Sequence, residues 1–227
     1  MSSEKSISVI IPTLNEREGI DDVIEGIPIN SLKKFGYQVE ILIVDGGSTD
    51  GTVEKVEKMG LDVIHCNGGK AEGVREGLKK AEGDYVFLID GDDSYPPERI
   101  EDMVKELENG SDMILGSRFQ GEINDGAMTA KNKIGNKILT WIANNLYGTE
   151  VSDLCTGLRG LRVNGLEAES IPGKGFEIEA GLHTLFSEKD ISEIGIRYAE
   201  RKGDSKLKTR DGFKIAIRLI KEKFEEN

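Results

Sequence analysis

The residues best suited to chemistry are two carboxylates at the end of an apolar run. Asp90 and Asp92 close the segment DYVFLIDGD, so both can face one hard divalent cation. Mg²⁺ in proteins typically takes one or two carboxylates together with phosphate and water oxygens. The pattern therefore predicts a site for a metal ion and a diphosphate. A solvated acidic turn before a proline-started helix is the open alternative, because an isolated D-x-D is common.

Two further polar segments also follow apolar runs, PTLNE at 12–16 and VDGGSTDGT at 44–52. Ligands of open parallel sheets bind beyond the carboxyl ends of the strands, where the three segments would meet. The glycine-rich segment is equally compatible with a simple strand-to-helix turn capped by Thr49 or Asp50. No G-x-G-x-x-G follows the first strand and no GxxxxGK[ST] occurs, which disfavours dinucleotide-dependent dehydrogenases and P-loop enzymes.

The elements that must position these residues alternate along the first half of the chain. Near-continuous apolar runs predict strands at 7–12, 39–45, 62–66, 84–90 and 112–117. Helical patterns lie between them at about 16–27, 51–59, 70–81 and 97–108. This alternation is typical of βαβ units. The predicted fold class is α/β, a Rossmann-like, mostly parallel sheet with helices on both faces, followed by a less regular last third with amphipathic elements.

Size, charge and cysteine content limit the possible classes. The 227 residues suffice for one well-buried domain, 1–227, and are too few for two. The net charge of -12 argues against nucleic-acid binding, which needs a basic footprint. Two distant cysteines, Cys66 and Cys155, are typical of a reducing compartment. The sequence shows neither an apolar leader nor a run of ~20 apolar residues, so we expect a cytoplasmic protein, soluble or peripheral to the membrane.

Taken together, the motifs resemble those of glycosyltransferase family 2, in its dolichyl-phosphate mannose or glucose synthase-like branch. The resemblance covers most of the chain, and the blocks follow the family order. Beyond the first two segments, the matching blocks are NGGKAEGVREGLKKAEGDYVFLIDGDDSYPPE (67–98), GSRF (116–119), DLCTGLRGLR (153–162), FEIE (176–179) and ERKGDSKL (200–207). The resemblance implies a metal-dependent enzyme of GT-A fold that uses a nucleotide sugar.

Roles on the donor side are carried over residue by residue. The residues that would hold the nucleoside are Pro12, Leu14, Glu16 and Asp45. Asp90 and Asp92 would contact the ribose, the diphosphate and Mg²⁺ or Mn²⁺, with Asp92 in a catalytic role. Lys70 matches a lysine near the nucleotide, although a lysine at a helix start is often merely solvated. About 1–120 would form the nucleotide-sugar-binding half of the domain.

The remaining half, about 121–227, would bind the acceptor. Asp153 lies in the D-x-x-[ST]-G-[FL]-R block and is the candidate base or acceptor-positioning carboxylate. Arg118 of GSRF would act catalytically by binding phosphate, although a salt bridge at a strand end is the simpler interpretation. The segment 200–207, which we call the late loop, would bind phosphate groups of the acceptor or of the diphosphate through Arg201, Ser205 and Lys206.

The chain departs from the family pattern at two places. The family commonly shows VDDGS, where this chain has Gly46 as its second residue after valine. It often shows D-A-D-L-Q, where this chain reads D-G-D-D-S. A glutamine that can complete the metal shell is thus replaced by Ser94, which we predict as the third protein ligand. Asp93 or a water molecule are the open alternatives.

The resemblance implies an inverting transfer of a hexosyl group from a GDP- or UDP-linked sugar to a polyprenyl phosphate. A phosphate monoester with its second pKa near ~6 is largely dianionic at neutral pH, so positioning and charge neutralisation would suffice. A soluble hydroxyl or glycan acceptor would instead require a true base, and Asp153 would become indispensable. A non-catalytic nucleotide-sugar-binding protein is the third alternative. It is disfavoured because the chain retains together the four aspartates of the family motifs, Asp45, Asp90, Asp92 and Asp153.

Two late segments combine apolar stripes with basic residues. Residues 130–147 place on one helical stripe Ile134, Ile138, Trp141, Ile142 and Leu146, beside Lys133 and Lys137. Residues 211–224 do the same with Phe213, Ile217, Ile220 and Phe224, beside Lys214, Arg218 and Lys221. Such helices can lie on an anionic membrane surface, here its cytoplasmic face. The open alternative is that both stripes pack on the sheet.

Overall fold

The structure is a computed structural model that describes residues 5–204, 206 and 209–225. Its strands are β1 (Lys5–Thr13), β2 (Tyr37–Asp45), β3 (Val63–His65), β4 (Tyr85–Leu88), β5 (Met113–Ile123), β6 (Arg159–Arg162) and β7 (Ile191–Tyr198). Its helices are α1 (Ile20–Gly26), α2 (Ile29–Lys34), α3 (Thr52–Lys58), α4 (Gly69–Lys80), α5 (Ile100–Glu108), α6 (Ala130–Tyr147), α7 (Ile178–Phe186) and α8 (Thr209–Glu225). Short 3₁₀ turns lie at Pro97–Arg99, Ala168–Ser170 and Gly175–Glu177.

One seven-stranded sheet organises the chain, in the order β3-β2-β1-β4-β6-β5-β7. β1 pairs in parallel with β2 on one side and with β4 on the other. Among the described strands, only β6 is antiparallel to its neighbours. The predicted class, a mostly parallel α/β sheet, is therefore confirmed, and the five predicted strands and six predicted helical segments are all present.

Alternating side chains of the strands build a core on each face of the sheet. Val9 and Ile11 of β1 belong to the core under α1, α2, α3 and α5. Ile10 between them points into the opposite core, which α4 and α7 cover. Burying the strands on both faces explains why they read as continuous apolar runs rather than as alternating ones.

The last third of the chain is more regular than its sequence predicts. It contributes β6, α7 and β7, none of which we expected there. β6 reads RGLR and has one large apolar residue, whereas β7, ISEIGIRY, lies at the edge of the sheet and mixes polar with apolar residues. Both patterns are too weak to indicate strands, because pairing with β4 and β5 rather than local composition creates them.

α6 and α8 form a separate layer with its own small core. Leu139 and Ala143 of α6 pack there with Ile215 and Leu219 of α8. The outward sides of both helices carry large apolar residues that are 45–71% exposed, and we call them the α6–α8 apolar set: Ile134, Ile138, Trp141, Phe213, Ile217, Ile220 and Phe224. In the part of the chain that the structure describes, no helix has the length and hydropathy needed to cross a bilayer.

Candidate active site

The three polar segments meet at one edge of the sheet. Thr13 at the end of β1 lies beside Asp45 at the end of β2, in register. Beyond β4, the backbone N–H of Ile89 donates to the carbonyl of Ile10, which holds the D-x-D segment beside β1. The expected convergence at the carboxyl ends of the parallel strands is therefore present.

Asp45 organises the first two segments rather than standing free. Its carboxylate accepts hydrogen bonds from the hydroxyl of Thr13 (3.1 Å) and from the backbone N–H groups of Gly47 (2.9 Å) and Ser48 (2.8 Å). Asn15, whose φ is +52°, accepts through its side chain from the backbone of Thr49 at 2.8 Å. Both loops are thus tied into one rigid floor, from which Leu14 projects with 38% of its surface exposed.

Lys70 at the start of α4 is a bridge between two acids. Its ammonium lies 2.7 Å from Asp90 Oδ1 and 2.7 Å from Glu179 Oε1 on α7. Burial would lower the pKa of Lys70, but the two carboxylates outweigh burial and raise it. Burial alone would raise the pKa of Asp90, and Lys70 reverses that effect, so Asp90 is held ionised. Lys70 is therefore not a merely solvated lysine.

Asp92 is buried, with 4% of its surface exposed. The backbone N–H of Ser94 donates to its Oδ1 at 3.1 Å, the Ser94 hydroxyl does the same, and Arg201 lies 3.1 Å from Oδ2. Burial and the negative charge of Asp90 raise its pKa. Asp90 and Asp92 therefore feel each other's charge, as two carboxylates that serve one cation do. Ser94 is placed where it orients Asp92.

The late loop brings cations onto the strand ends from far along the chain. Arg201 and Lys206 both approach Glu16 Oε1, Arg201 at 3.6 Å. Lys202 pairs with Asp93 at 2.7 Å. Burial raises the pKa of Glu16 to about 7, although Lys206 counteracts it. Ser205, the remaining predicted phosphate ligand, lies outside the described residues.

We call six of these residues the strand-end cluster: Glu16, Lys70, Asp90, Asp92, Arg201 and Lys206. Three acids and three cations alternate within it, and Glu179 adds a further acid on the α7 side. Every acid of the cluster already contacts a protein cation. A ligand that carries phosphates and a metal ion would find a partner of opposite charge for each of its own groups.

Gly157 and Tyr95 lie beside Asp90, and neither was predicted from sequence as a site residue. A Cβ atom on Gly157 would lie 2.3 Å from Asp90 Oδ2, so only glycine leaves room for that carboxylate. The backbone N–H of Gly157 donates to the buried hydroxyl of Tyr95 at 2.7 Å. The T-G pair of the DLCTGLR block could have indicated this close approach, whereas nothing local identifies the tyrosine.

Arg118 and Asp153 pair with each other in the interior. Arg118 Nε lies 2.7 Å from Asp153 Oδ2 and its Nη2 lies 2.7 Å from Oδ1, while the backbone N–H of Arg118 also donates to Oδ2. Asp153 has no exposed surface. The backbone N–H groups of Ser152 and Asp153 donate in turn to Glu193 on β7. Arg118 therefore forms a salt bridge, but within β5 rather than at a strand end, and both oxygens of the candidate base accept hydrogen bonds from it.

Aromatic rings surround the guanidinium of Arg118. It lies 5.2 Å from the ring centroid of Tyr198 and 5.9 Å from that of Phe119. The ammonium of Lys137 on α6 lies 5.7 Å from the same Phe119 ring. Contacts of this kind stabilise a cation over a ring face. Through Phe119 they connect Arg118 with α6, the helix that carries part of the α6–α8 apolar set.

The donor atoms fit the predicted metal ion as a shared site. Among the described residues, no three or more His, Cys, Asp or Glu side chains are grouped so that they could hold a metal ion. A site made of Asp90, Asp92 and diphosphate oxygens needs no such group, because Mg²⁺ is usually held in this way. The oxygen ligands are of the type that hard divalent cations prefer.

Comparison with solved structures identifies the fold. Glucosyl-3-phosphoglycerate synthase from Mycobacterium tuberculosis, in complex with phosphoglyceric acid, superposes with a TM-score of 0.72, covering 96% of this chain and 79% of that one at 21% identity. The same enzyme in complex with Mn²⁺, UDP and phosphoglyceric acid gives a TM-score of 0.69 over 95% of this chain and 76% of that one, again at 21% identity. The predicted GT-A fold is confirmed.

Sequence comparison finds closer relatives. Glycosyltransferase AglJ of Haloferax volcanii is 33% identical over 84% of this chain and 61% of its own length. The dolichol-phosphate mannosyltransferase of Pyrococcus furiosus is 30% identical over 89% of this chain and 59% of its own. The dolichyl-phosphate hexose transferase of Haloferax volcanii is 30% identical over 88% and 86%, respectively. This chain thus spans about three fifths of the length of the first two.

The family model confirms the resemblance drawn from the motifs. The model described as Glycosyl transferase family 2 matches residues 8–168, which include all three polar segments and the Arg118–Asp153 pair. The match covers well over half of the 227 residues. This chain therefore belongs to glycosyl transferase family 2.

Proposed function

We propose that the protein is an inverting, metal-dependent glycosyltransferase that moves a hexosyl group from a nucleoside-diphosphate sugar to a polyprenyl phosphate. The observation that carries the proposal is the strand-end cluster, in which Asp90 and Asp92 lie between cations at the carboxyl ends of parallel strands. Three relatives support the acceptor. Their names are dolichol-phosphate mannosyltransferase, dolichyl-phosphate hexose transferase and undecaprenyl-phosphate 4-deoxy-4-formamido-L-arabinose transferase.

On the donor side, the floor made by residues 12–16 and 45–52 would receive the nucleoside, and Asp90 and Asp92 would hold Mg²⁺ or Mn²⁺ against the diphosphate. Such an ion neutralises the charge that develops on the leaving nucleoside diphosphate. Lys70 and Arg201 lie against the two carboxylates, and we propose that they contact the phosphates as well. Preorganised charges of this kind lower the barrier because they need little rearrangement during the reaction.

On the acceptor side, we propose that Arg118 attracts the phosphate of the lipid. Asp153 would act through Arg118 as a positioning residue, because its two oxygens already accept hydrogen bonds from that guanidinium. An acceptor phosphate is largely dianionic near neutral pH and needs no base. This arrangement favours a phosphate acceptor over a hydroxyl acceptor, which would need Asp153 free to take a proton.

We further propose that the α6–α8 apolar set rests on the cytoplasmic face of a membrane, where a polyprenyl phosphate would be found. Its members are 45–71% exposed instead of packing on the sheet. Exposed lysines accompany them, including Lys133, Lys137, Lys214 and Lys221. A basic amphipathic helix at the headgroup level gains from both apolar burial and anionic lipids.

The decisive experiment incubates the purified protein with radiolabelled GDP-mannose, UDP-glucose or UDP-N-acetylglucosamine, dolichyl phosphate and either Mg²⁺ or Mn²⁺. We expect label to enter the organic phase with one donor and only when a divalent cation is present. Transfer undiminished by EDTA would remove the metal from the proposal. Label that enters only an aqueous glycan product would instead support the hydroxyl-acceptor alternative.

The non-catalytic alternative is tested in the same reactions by measuring nucleotide release. An enzyme of this class releases nucleoside diphosphate in proportion to the sugar transferred. A protein that binds the nucleotide sugar with measurable affinity, yet releases no nucleotide with any donor and acceptor, would be a binding protein. The mixed charges of the strand-end cluster fit either activity, whereas the Arg118–Asp153 pair beside it favours a second, anionic substrate.

A further inference from the structure

Glu179, the last residue of the FEIE block, has one oxygen that no other group satisfies. It lies on α7 with 7% of its surface exposed. Its Oε1 contacts Lys70 at 2.7 Å, whereas its Oε2 is buried and has no hydrogen-bond partner among the described residues. Buried carboxylate oxygens without a donor are uncommon because desolvation is not compensated. The oxygen is therefore available to accept a hydrogen bond from a bound molecule.

The cations near Glu179 have other partners. Lys70 divides its ammonium between Asp90 and Glu179 Oε1. Arg159 directs its guanidinium to backbone carbonyls: Nε to Thr156 (3.1 Å), Nη1 to Glu179 (3.1 Å) and Nη2 to Leu154. A donor for Oε2 must therefore come from outside the protein.

The position of Glu179 indicates which part of a nucleotide sugar would supply that donor. Glu179 and Asp90 line one partly open recess, and other walls are formed by Pro12, Thr156 and Gly157. Asp90 belongs to the side that would hold the diphosphate and metal. The group attached to the diphosphate is the sugar, whose hydroxyl groups are hydrogen-bond donors.

We propose that Glu179 is a specificity-determining residue whose Oε2 accepts a hydrogen bond from a hydroxyl group of the transferred hexose. The inference rests on the proposed function and adds the class of sugar: a neutral hexose with a hydroxyl at the contacted position. A hexuronate is disfavoured, because the Glu179 carboxylate would repel the negative charge of that sugar. A site built to bind a hydroxyl also strongly rejects the analogue that lacks it.

A purely structural role for Glu179 makes a different prediction. If Glu179 served only to hold Lys70, its loss would disturb Lys70 and Asp90 and thereby weaken binding of the nucleoside diphosphate itself. The loss of affinity would then be the same with and without the sugar. Binding of a nucleoside diphosphate and of the matching nucleotide sugar therefore separates the two roles.

The experiment measures dissociation constants by titration calorimetry with Mn²⁺ for wild type, Glu179→Gln and Glu177→Gln. Glu177 is the matched control, because it lies two residues away and pairs with Arg218 at 3.1 Å. The probes are UDP, UDP-glucose and UDP-glucuronate, or GDP, GDP-mannose and GDP-mannuronate if guanine is preferred. We expect wild type to prefer the neutral sugar by at least about tenfold.

In Glu179→Gln, the affinity for the nucleoside diphosphate should stay within about twofold of wild type. The preference for the neutral over the acidic sugar should fall by about tenfold, because the uncharged glutamine no longer repels the carboxylate of the acidic sugar. Glu177→Gln should keep the wild-type preference. Equal losses for nucleotide and nucleotide sugar in Glu179→Gln, or an unchanged preference, would overturn the inference.

A second measurement uses only wild type, so it remains valid if Glu179→Gln does not fold. Wild type is titrated with monodeoxy analogues of the preferred nucleotide sugar. One position should weaken binding by at least about tenfold, and no loss at any position would overturn the inference. Wild type that binds the nucleoside diphosphate and the neutral sugar without any transfer to dolichyl phosphate would refute the proposed function while leaving the role of Glu179 intact.

Discussion

The strand-end cluster and the α6–α8 apolar set differ in whether their side chains find partners within the protein. In the strand-end cluster every acid contacts a cation, and the partners come from β-strand ends, α4 and the late loop. In the α6–α8 apolar set, seven large apolar side chains lie 45–71% exposed on two helices whose other sides are well packed. One region is internally neutralised, and the other leaves its apolar surface to water.

The difference shows how each region is suited to its own type of partner. A charged ligand can enter the strand-end cluster by exchanging one ionic contact for another, so charges need never be left unpaired in a desolvated site. The apolar set gains only when something apolar covers it, since exposed apolar area is unfavourable in water. We therefore expect changes in the cluster to alter chemistry and changes around the apolar set to alter location.

The largest expected effect is on turnover in Asp92→Ala. We predict a loss of more than about 100-fold in transfer, because the variant removes one of two carboxylates that would hold the metal. The fold should be retained, since Glu16 keeps Arg201 and Lys206 paired. Initial rates and far-ultraviolet circular dichroism measure the two quantities. Comparable activity of Asp92→Ala and wild type would separate the cluster from catalysis.

Asp93→Asn sharpens the same test, because Asp93 was the open alternative to Ser94 as third ligand. Asp93 pairs with Lys202 and has a φ of +60°, a conformation that asparagine also adopts readily. We expect activity within about threefold of wild type. A loss as large as that of Asp92→Ala would make Asp93 a ligand.

The next largest effect is on stability in Asp153→Asn. Removing one partner of the buried pair leaves Arg118, 6% exposed, without its counter-charge, and we expect the free energy of unfolding to fall by about 3–5 kcal/mol. Asp102→Asn, which loosens exposed pairs with Arg99 and Lys105, should cost less than about 1 kcal/mol. Urea denaturation compares the two variants.

Turnover of Asp153→Asn then tests the acceptor. We expect folded Asp153→Asn to keep more activity than Asp92→Ala if the acceptor is a phosphate. A folded Asp153→Asn protein that loses more turnover than Asp92→Ala would favour a hydroxyl acceptor with Asp153 as its base.

A smaller effect is the pH dependence of stability that arises from His183 on α7. Burial, together with the positive charge of Arg159, lowers the pKa of His183 to about 4. The unfolded chain gains a proton near pH 6.5, whereas the folded chain gains it near pH 4, so this contribution to stability is lost as the pH falls through that window. At pH 5 the loss is about 2 kcal/mol.

The measurement compares unfolding of wild type and His183→Gln at pH 7.5 and pH 5. Glu16, whose pKa is raised, has the opposite slope below pH 7, and taking the difference between the two proteins removes its contribution. Wild type should lose about 2 kcal/mol more than the variant between the two pH values. Parallel losses would show that His183 titrates normally.

The smallest effect is expected from one charge beside the apolar set. Lys133→Gln should weaken binding to vesicles of phosphatidylcholine and phosphatidylserine by about 1 kcal/mol at low salt, because each basic residue near an anionic surface contributes about that amount. Lys58→Gln on α3 is the exposed control and should have no effect. Co-sedimentation is the measurement. Wild type that stays in the supernatant at low and high salt, even with dolichyl phosphate, would refute the membrane proposal.

How much could be predicted from sequence differs between the two halves of the sheet. β1, β2 and β4 have continuous apolar runs and polar ends, and pattern alone places Asp45, Asp90 and Asp92 at one edge. β6 and β7 lack such runs, so their pairing, and with it the position of the Thr156–Gly157 turn, depends on tertiary contacts. Local sequence carries no information on such contacts.

Which side chains of the site pair with each other was likewise not predictable from sequence. The sequence identified Arg118 as a candidate phosphate-binding residue and Asp153 as a candidate base. It did not indicate that these two residues, 35 positions apart, pair with each other. Lys70 was matched to the nucleotide, whereas its second partner, Glu179, belongs to a motif that had received no role. Chemistry is predictable from residue type and spacing, but pairing between distant residues requires the fold.

The contacts of the late loop have a consequence for the order in which the protein is made. Lys206 reaches Glu16 across 190 positions, and Lys202 reaches Asp22 across 180. A ribosome releases the carboxylates of Glu16 and Asp92 long before the cations that neutralise them, so a growing chain can pair β1 with β2 and β4 while its acidic edge is still uncompensated. The strand-end cluster is therefore completed only after all seven described strands have been made, and a chain cut short after β7 would lack Arg201 and Lys206.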